Sequence, residues 1–295
     1  MRRTDIVRAP AIALVLAIGT VAWLHAGADL ALPRAADSLK FAVIGDNGTG
    51  EMPQYDIARQ MVSSRSSFPY DFVLMLGDNL YGSQKPPDFV AKFERPYGPL
   101  LEAGVHFYAT LGNHDQPTNR SYAPFNMASE RYYTFVRPAV RFFILDTNLM
   151  DRAQLTWIDD ALARAQEPWK IVFFHHPIYS DGDRHGSNVE MRVLLEPLLV
   201  RHGVTVVFSG HEHIYERTTP QKGITYFIEG SSGQLRKGGV TPSALTAASF
   251  ADDRTFMLVE ITGDQLFFQT VSRTGRIVDS GVIQRTPDAS TRSSP

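Results

Sequence analysis

Five short segments of this 295-residue chain collect side chains that bind hard metal ions. They are Gly45-Asp46-Asn47-Gly48, Gly77-Asp78-Asn79-Leu80-Tyr81, Gly112-Asn113-His114-Asp115, Phe174-His175-His176-Pro177 and Gly210-His211-Glu212-His213. Asp46, Asp78, Tyr81, Asn113, His175, His211 and His213 make seven candidate ligands. If one carboxylate bridges, two ions receive four protein ligands each and keep open positions for water and substrate. Two-metal hydrolysis needs that arrangement, with ions about 3.5–4 Å apart. The chain has no cysteine, which excludes disulfides, thiolate metal sites and a cysteine nucleophile. Tyr81 is the unusual donor: a phenolate is hard and electron-rich and suits Fe(III) better than Zn(II) or Mn(II).

Taken singly, each segment has a plainer reading. Gly-Asp after a strand is often a turn, and His-x-His alone is a weak metal signal. The joint occurrence carries the inference, because six of the nine histidines fall in or beside these segments. His25, His106 and His202 are assigned no catalytic role.

The elements that must position these residues are short apolar runs. Leu39–Ile44, Phe72–Leu76, Val105–Thr110, Arg141–Leu145, Lys170–Phe174 and Val204–Phe208 read as buried strands. Tyr55–Ser64, Gln154–Ala165 and Val189–His202 read as helices, the last with Gly203 as its C-cap signal. Ile224–Glu229, Phe256–Ile261 and Leu266–Val271 follow without helices between them and read as an antiparallel meander. The pattern favours a mixed α/β sandwich with two sheets. Asp46, Asp78, Asn113, His175 and His211 each lie just past a predicted strand. Loops at the carboxyl ends of strands in open α/β sheets converge on one crevice.

With 43% hydrophobic and 20% charged residues, the chain can form one large globular domain or two small ones. A net charge of −2 gives no bulk attraction for nucleic acid, so any phosphate affinity must be local. Arg2, Arg3 and Arg8, the uncharged stretch Ala11 to Leu24 and the small residues Ala26-Gly27-Ala28 read as an export signal. Residues 1–37 are therefore expected to be a signal peptide and linker, or an uncleaved anchor, the one case with membrane contact. Both place the protein outside the cytoplasm, periplasmic or secreted. Residues 38–284 form the expected catalytic domain, and 285–295 a disordered tail rich in Ser, Thr and Pro.

The order Asp, Gly-Asp, Gly-Asn-His-Asp, His, Gly-His-x-His resembles the calcineurin-like metallophosphoesterases. Most members carry a His two residues after the first Asp, where this chain has Gly48. Gly77-Asp78-x-x-Tyr81 resembles the purple acid phosphatases. Phe143-Ile144-Leu145-Asp146-Thr147 and Gln154-Leu155-Thr156-Trp157 resemble their small, tartrate-resistant type. The likeness runs from about Lys40 to Gly233. It departs in the missing cysteines and in His176, where that family has Tyr. It implies the metallophosphoesterase fold, a four-layer α-β-β-α sandwich of two mixed sheets. It implies Fe(III) on Asp46, Tyr81 and His213, a second divalent metal (Fe, Zn or Mn) on Asn113, His175 and His211, and Asp78 bridging.

The expected reaction is hydrolysis of small phosphomonoesters by metal-bound hydroxide. His114, next to Asn113, is the expected leaving-group acid, with Asp115 orienting it. His185, on the loop Ser180 to Asn188, stands near the position where the family contacts phosphate. The role of His176 is left open, with a structural one favoured over a catalytic one. One alternative is a metallophosphodiesterase or nucleotidase with a Mn or Zn pair, against which Gly48 and Tyr81 speak. Another is a non-catalytic phosphate-binding surface protein, against which the complete ligand set speaks.

Overall fold

Strand β1 (Leu39–Ile44) shows how the layers arise. Successive side chains of a strand point to opposite faces. Phe41 and Val43 enter one apolar layer, Ala42 and Ile44 another, and all four are buried. A strand apolar on both faces must be covered on both sides. The computed structural model describes residues 31–285, so the signal calls on residues 1–30 and the tail from residue 286 lie outside the described residues.

Helix α1 (Met52–Arg65) follows β1. Then come β2 (Phe72–Met75), a helical run of α2 (Pro86–Phe89), a π-helical turn (Val90–Glu94) and α3 (Arg95–Glu102), and β3 (His106–Ala109). β1, β2 and β3 pair in parallel. The next elements are β4 (Tyr133–Arg137), β5 (Val140–Ile144), α4 (Arg152–Arg164), β6 (Trp169–Phe173), α5 (Val189–Arg201) and β7 (Val206–Ser209). The chain closes with β8 (Tyr215–Thr218), β9 (Thr225–Glu229), β10 (Thr246–Phe250), β11 (Thr255–Thr262), β12 (Gln265–Ser272) and β13 (Ile277–Gln284).

Two mixed sheets result, one of order β13-β12-β11-β1-β2-β3 and one of order β10-β8-β9-β7-β6-β5-β4. Between them lies a layer built from Phe41, Phe72, Leu74, Phe142, Ile171, Phe173 and Phe208. Phe41 stacks on Phe72 at 5.2 Å and meets Phe142 edge-on at 5.5 Å. Each such ring buried contributes about 1.5–3 kcal/mol, enough to fix one sheet on the other. Ile57, Met61 and Tyr97 of α1 and α3 cover the outer face of the first sheet. Ile158, Leu162, Leu195 and Leu199 of α4 and α5 cover the second. The architecture is the four-layer α-β-β-α sandwich.

The expected meander is corrected. Ile224–Glu229 falls on β9, which lies in the seven-stranded sheet, parallel to β7 and antiparallel to β8. The antiparallel meander is β11-β12-β13. β8 escaped detection because it carries Glu216 and Arg217. Buried Glu216 is satisfied by Ser180 Oγ at 2.6 Å and Thr246 Oγ1 at 2.8 Å, and Arg217 by Asp279 at 2.7 Å. At the N-terminal end, packing reaches back to buried Leu32, and the Arg34 and Ala35 amides donate to Glu260. Among the described residues no helix is long and apolar enough to cross a membrane.

Candidate metal centre

The parallel strands of both sheets end at one rim, and all seven candidate ligands sit on the loops that leave it. Asp46 follows β1, Asp78 and Tyr81 follow β2, and Asn113 follows β3. His175 follows β6, and His211 and His213 follow β7. The loops after β1, β2 and β7 turn sharply, since Asp46, Asp78 and His211 hold positive φ, at 51°, 52° and 71°. Such strained non-glycine residues persist only where surrounding contacts over-determine them. Here the Asp46 amide bonds to Gly77 O at 3.0 Å, and the His211 amide to Asp46 Oδ2 at 2.8 Å.

Gly48 packs so tightly that a Cβ there would lie 1.8 Å from Asn79 O. A histidine has no room at this position. The same contact delivers the alternative donor, because Gly48 O accepts the Tyr81 amide at 2.9 Å.

Two sets of donors converge. In the first, Tyr81 Oη lies 3.0 Å from Asp46 Oδ1 and 3.2 Å from His213 Nε2, and those two atoms are 3.4 Å apart. In the second, His175 Nε2 lies 3.0 Å from Asn113 Oδ1, 3.2 Å from His211 Nδ1 and 3.5 Å from Asp78 Oδ1. Asp78 also groups with Asp46 and His213, so its carboxylate faces both sets. Ligands bound at about 2.1 Å around one ion stand roughly 3.0–3.4 Å apart. The spacing of both sets therefore fits a metal ion.

The electrostatics fit as well. Asp46 and Asp78 are buried, and among the described residues no lysine or arginine pairs with either. Burial and the neighbouring Asp78 charge push the Asp46 carboxyl well above its usual range. Burial and the two carboxylates push the Tyr81 phenol far up. Burial and adjacent imidazoles lower His175 strongly and His211 to about 2. These groups need a cation to ionise together, while the imidazoles are held neutral, the form that ligates metal. His175 Nδ1 lies 2.9 Å from Leu76 O. Donation there leaves Nε2 free for the site.

His114 overhangs this centre. Its amide donates to Asp78 Oδ1 at 2.8 Å, its Nε2 lies 4.0 Å from Asp78 Oδ2, and its side chain is 52% exposed. Its ring stands 4.7 Å from the Tyr81 ring. The role expected for Asp115 is corrected. Its carboxylate accepts the amides of Asn79 (3.0 Å), Leu80 (3.1 Å) and Gly112 (2.9 Å) and the Asn79 side chain (2.9 Å), and none of its hydrogen bonds goes to His114. It points inward because those donors are buried and need an acceptor.

His185 lies over the second set, its ring 4.1 Å from that of His211. Glu212, which the motif pattern left unassigned, fastens it there: its buried Oε1 accepts the His185 and Gly186 amides. Lys92 was missed too. From the π-helical turn, its Nζ donates at 2.6 Å to both Tyr81 O and Ser83 O. A charged residue between two candidate ligands was a readable hint for Glu212, whereas nothing local to Lys92 pointed to the Tyr81 loop.

Residues 39–215 match the family model of the calcineurin-like phosphoesterases. Human tartrate-resistant acid phosphatase type 5 is 26% identical over 313 residues, covering 84% of this chain and 96% of the relative. Purple acid phosphatase 17 of Arabidopsis thaliana is 26% identical over 267 residues, covering 76% and 78%. Among solved structures, the purple acid phosphatase PPD1 of yellow lupin superposes with a TM-score of 0.70 at 18% identity, over 86% of this chain and 55% of that one. GAP50, described as the anchor in the inner membrane complex of Plasmodium, superposes with a TM-score of 0.73 at 18% identity, over 85% and 90%. Those two likenesses show the fold alone.

Proposed function

Because the chain belongs to the calcineurin-like phosphoesterase family, we propose that it is a binuclear acid phosphatase of the purple type, acting on small phosphomonoesters. One observation carries the reading: Tyr81 Oη stands 3.0 Å from Asp46 Oδ1 and 3.2 Å from His213 Nε2, in a position Gly48 cannot serve. The fold by itself does not decide activity, since a membrane-complex anchor shares it. The donor set does. Asp46, Tyr81 and His213 would hold Fe(III), while Asn113, His175 and His211 would hold divalent iron, zinc or manganese. Asp78 would serve both. When bound, the two ions would supply Lewis acidity that activates water and neutralises charge on the phosphate oxygens.

The chain's own residues do the rest. The buried carboxylates Asp46 and Asp78 concentrate the negative charge that selects two cations. The neutral imidazoles of His175, His211 and His213 present lone pairs without competing for protons. His114, solvent-facing at the edge of the centre, hands a proton to the departing ester oxygen. The basic and apolar N-terminal segment supports an exported enzyme.

The reading is tested on purified protein. Two metals per chain, a visible charge-transfer band and turnover of aryl phosphomonoesters at acid pH are expected. Tyr81→Phe should remove the band. A Tyr81→Phe protein that kept its band would overturn the ferric assignment. A fully loaded native protein without monoester turnover would overturn the phosphatase. His114→Ala should slow alkyl phosphates about 100-fold or more but aryl phosphates far less, because only poor leaving groups need protonation.

A further inference from the structure

The rim carries one more imidazole, which the two donor sets do not use. His176 is half-buried, with its ring 4.8 Å from that of His175 and 4.4 Å from that of His211. One nitrogen from each of His175, His176 and His211 falls within a single 4.8 Å cluster. The ring is fixed from behind by Thr147, a buried residue at the end of the Phe143 to Thr147 segment. Thr147 Oγ1 accepts the His176 amide at 3.1 Å and lies 2.9 Å from His176 Nδ1.

That pair of contacts favours one tautomer of the ring. Among the described residues, the Thr147 hydroxyl has no other acceptor within reach, and a buried hydroxyl proton needs one. A hydroxyl that donates to Nδ1 holds the His176 proton on Nε2. A nitrogen that carries a proton cannot ligate a metal, but it can donate to an anion. His176 lines a cavity of about 490 Å³ together with His185, His211 and Arg184. The cavity adjoins the second donor set through His211.

We propose that His176 is a substrate-binding residue whose Nε2–H donates to a non-bridging oxygen of the substrate's phosphate. This rests on the phosphomonoesterase reading above. Thr147 is its positioning residue, holding the tautomer that makes the ring a donor. The Phe143 to Thr147 segment thereby gains a function: it ends on the hydroxyl that sets His176.

The test is binding of inorganic phosphate to the metal-loaded protein by titration calorimetry, with metal content measured on the same samples. His176→Ala should weaken phosphate binding about tenfold to a hundredfold and leave two metals per chain. His176→Gln, which keeps an N–H donor, should recover part of that loss. Thr147→Val, nearly the same shape without the hydroxyl, should weaken binding in the same direction. Phosphate affinity unchanged in His176→Ala would overturn the proposal. So would loss of a metal ion in that variant, which would make His176 a ligand. If the native loaded protein bound no phosphate, the phosphatase reading would fall, and this proposal with it. That outcome is separate from a failure confined to the variants.

Discussion

At the scale of single residues, the chemistry of a side chain and its direction are different kinds of information. The convergence of the seven candidate donors was legible because Asp, Tyr, Asn and His beside glycine at strand ends have few other uses in such number. Asp115 was legible as an acidic neighbour of His114 but not as what it is. Its carboxylate turns away from solvent and ties the Asp78 loop to the Asn113 loop through three N–H donors, with a fourth from Gly112 of its own loop. Asp115→Asn keeps the shape but replaces one accepting oxygen with an amide group that faces donors. The variant should lose about 2–3 kcal/mol of stability in chemical denaturation and retain less metal. Full stability and full metal content with turnover lost would instead return Asp115 to the chemistry.

At the scale of elements, continuous apolar strands and periodic helices were readable, and mixed ones were not. The helical run from Pro86 to Glu102 opens on Pro86 and Pro87, which its first turn tolerates, but also holds Pro96, Gly98 and Pro99, which read as breaks. The break that occurs is a π-helical turn, and it places Lys92 under the Tyr81 loop. Lys92→Met removes both hydrogen bonds while keeping an unbranched stem. The metal ion proposed at Tyr81 should dissociate from this variant about tenfold faster against a chelator, with thermal unfolding almost unchanged. Equal retention of the metal would show that the loop holds Tyr81 unaided. β8, β10 and β13 were unreadable for a related reason. β8 and β13 hide charge in specific pairs such as Arg217 with Asp279, and β10, paired with β8, is mostly small residues with no alternating apolar pattern.

At the scale of the molecule, proton and metal binding are linked. Glu229, buried near Asp46, is pushed up to about 8 by burial, and Asp46 is also raised. A raised carboxyl stabilises the fold most at low pH and loses that contribution as pH climbs through the folded value. The lowered histidines act oppositely: their contribution is present above about pH 6.5 and is lost as pH falls. The metal-stripped protein therefore has no pH at which both groups are fully content. Ions at the site favour ionised carboxylates and neutral imidazoles together. The melting-temperature gap between loaded and stripped protein should widen from about pH 5 to about pH 8. Differential scanning at several pH values measures it, and a gap that narrowed with pH would contradict the proposed ligand set.

The two donor sets share one further property. Each draws on both sheets: Asp46, Tyr81 and Asn113 come from the first, and His175, His211 and His213 from the second. β11, the antiparallel neighbour of β1, joins the first sheet only after every donor has been synthesised. A chain whose two sheets have not packed together therefore has no complete donor set for either ion. Under the proposed ligand set, metal binding would report the docking of one sheet on the other.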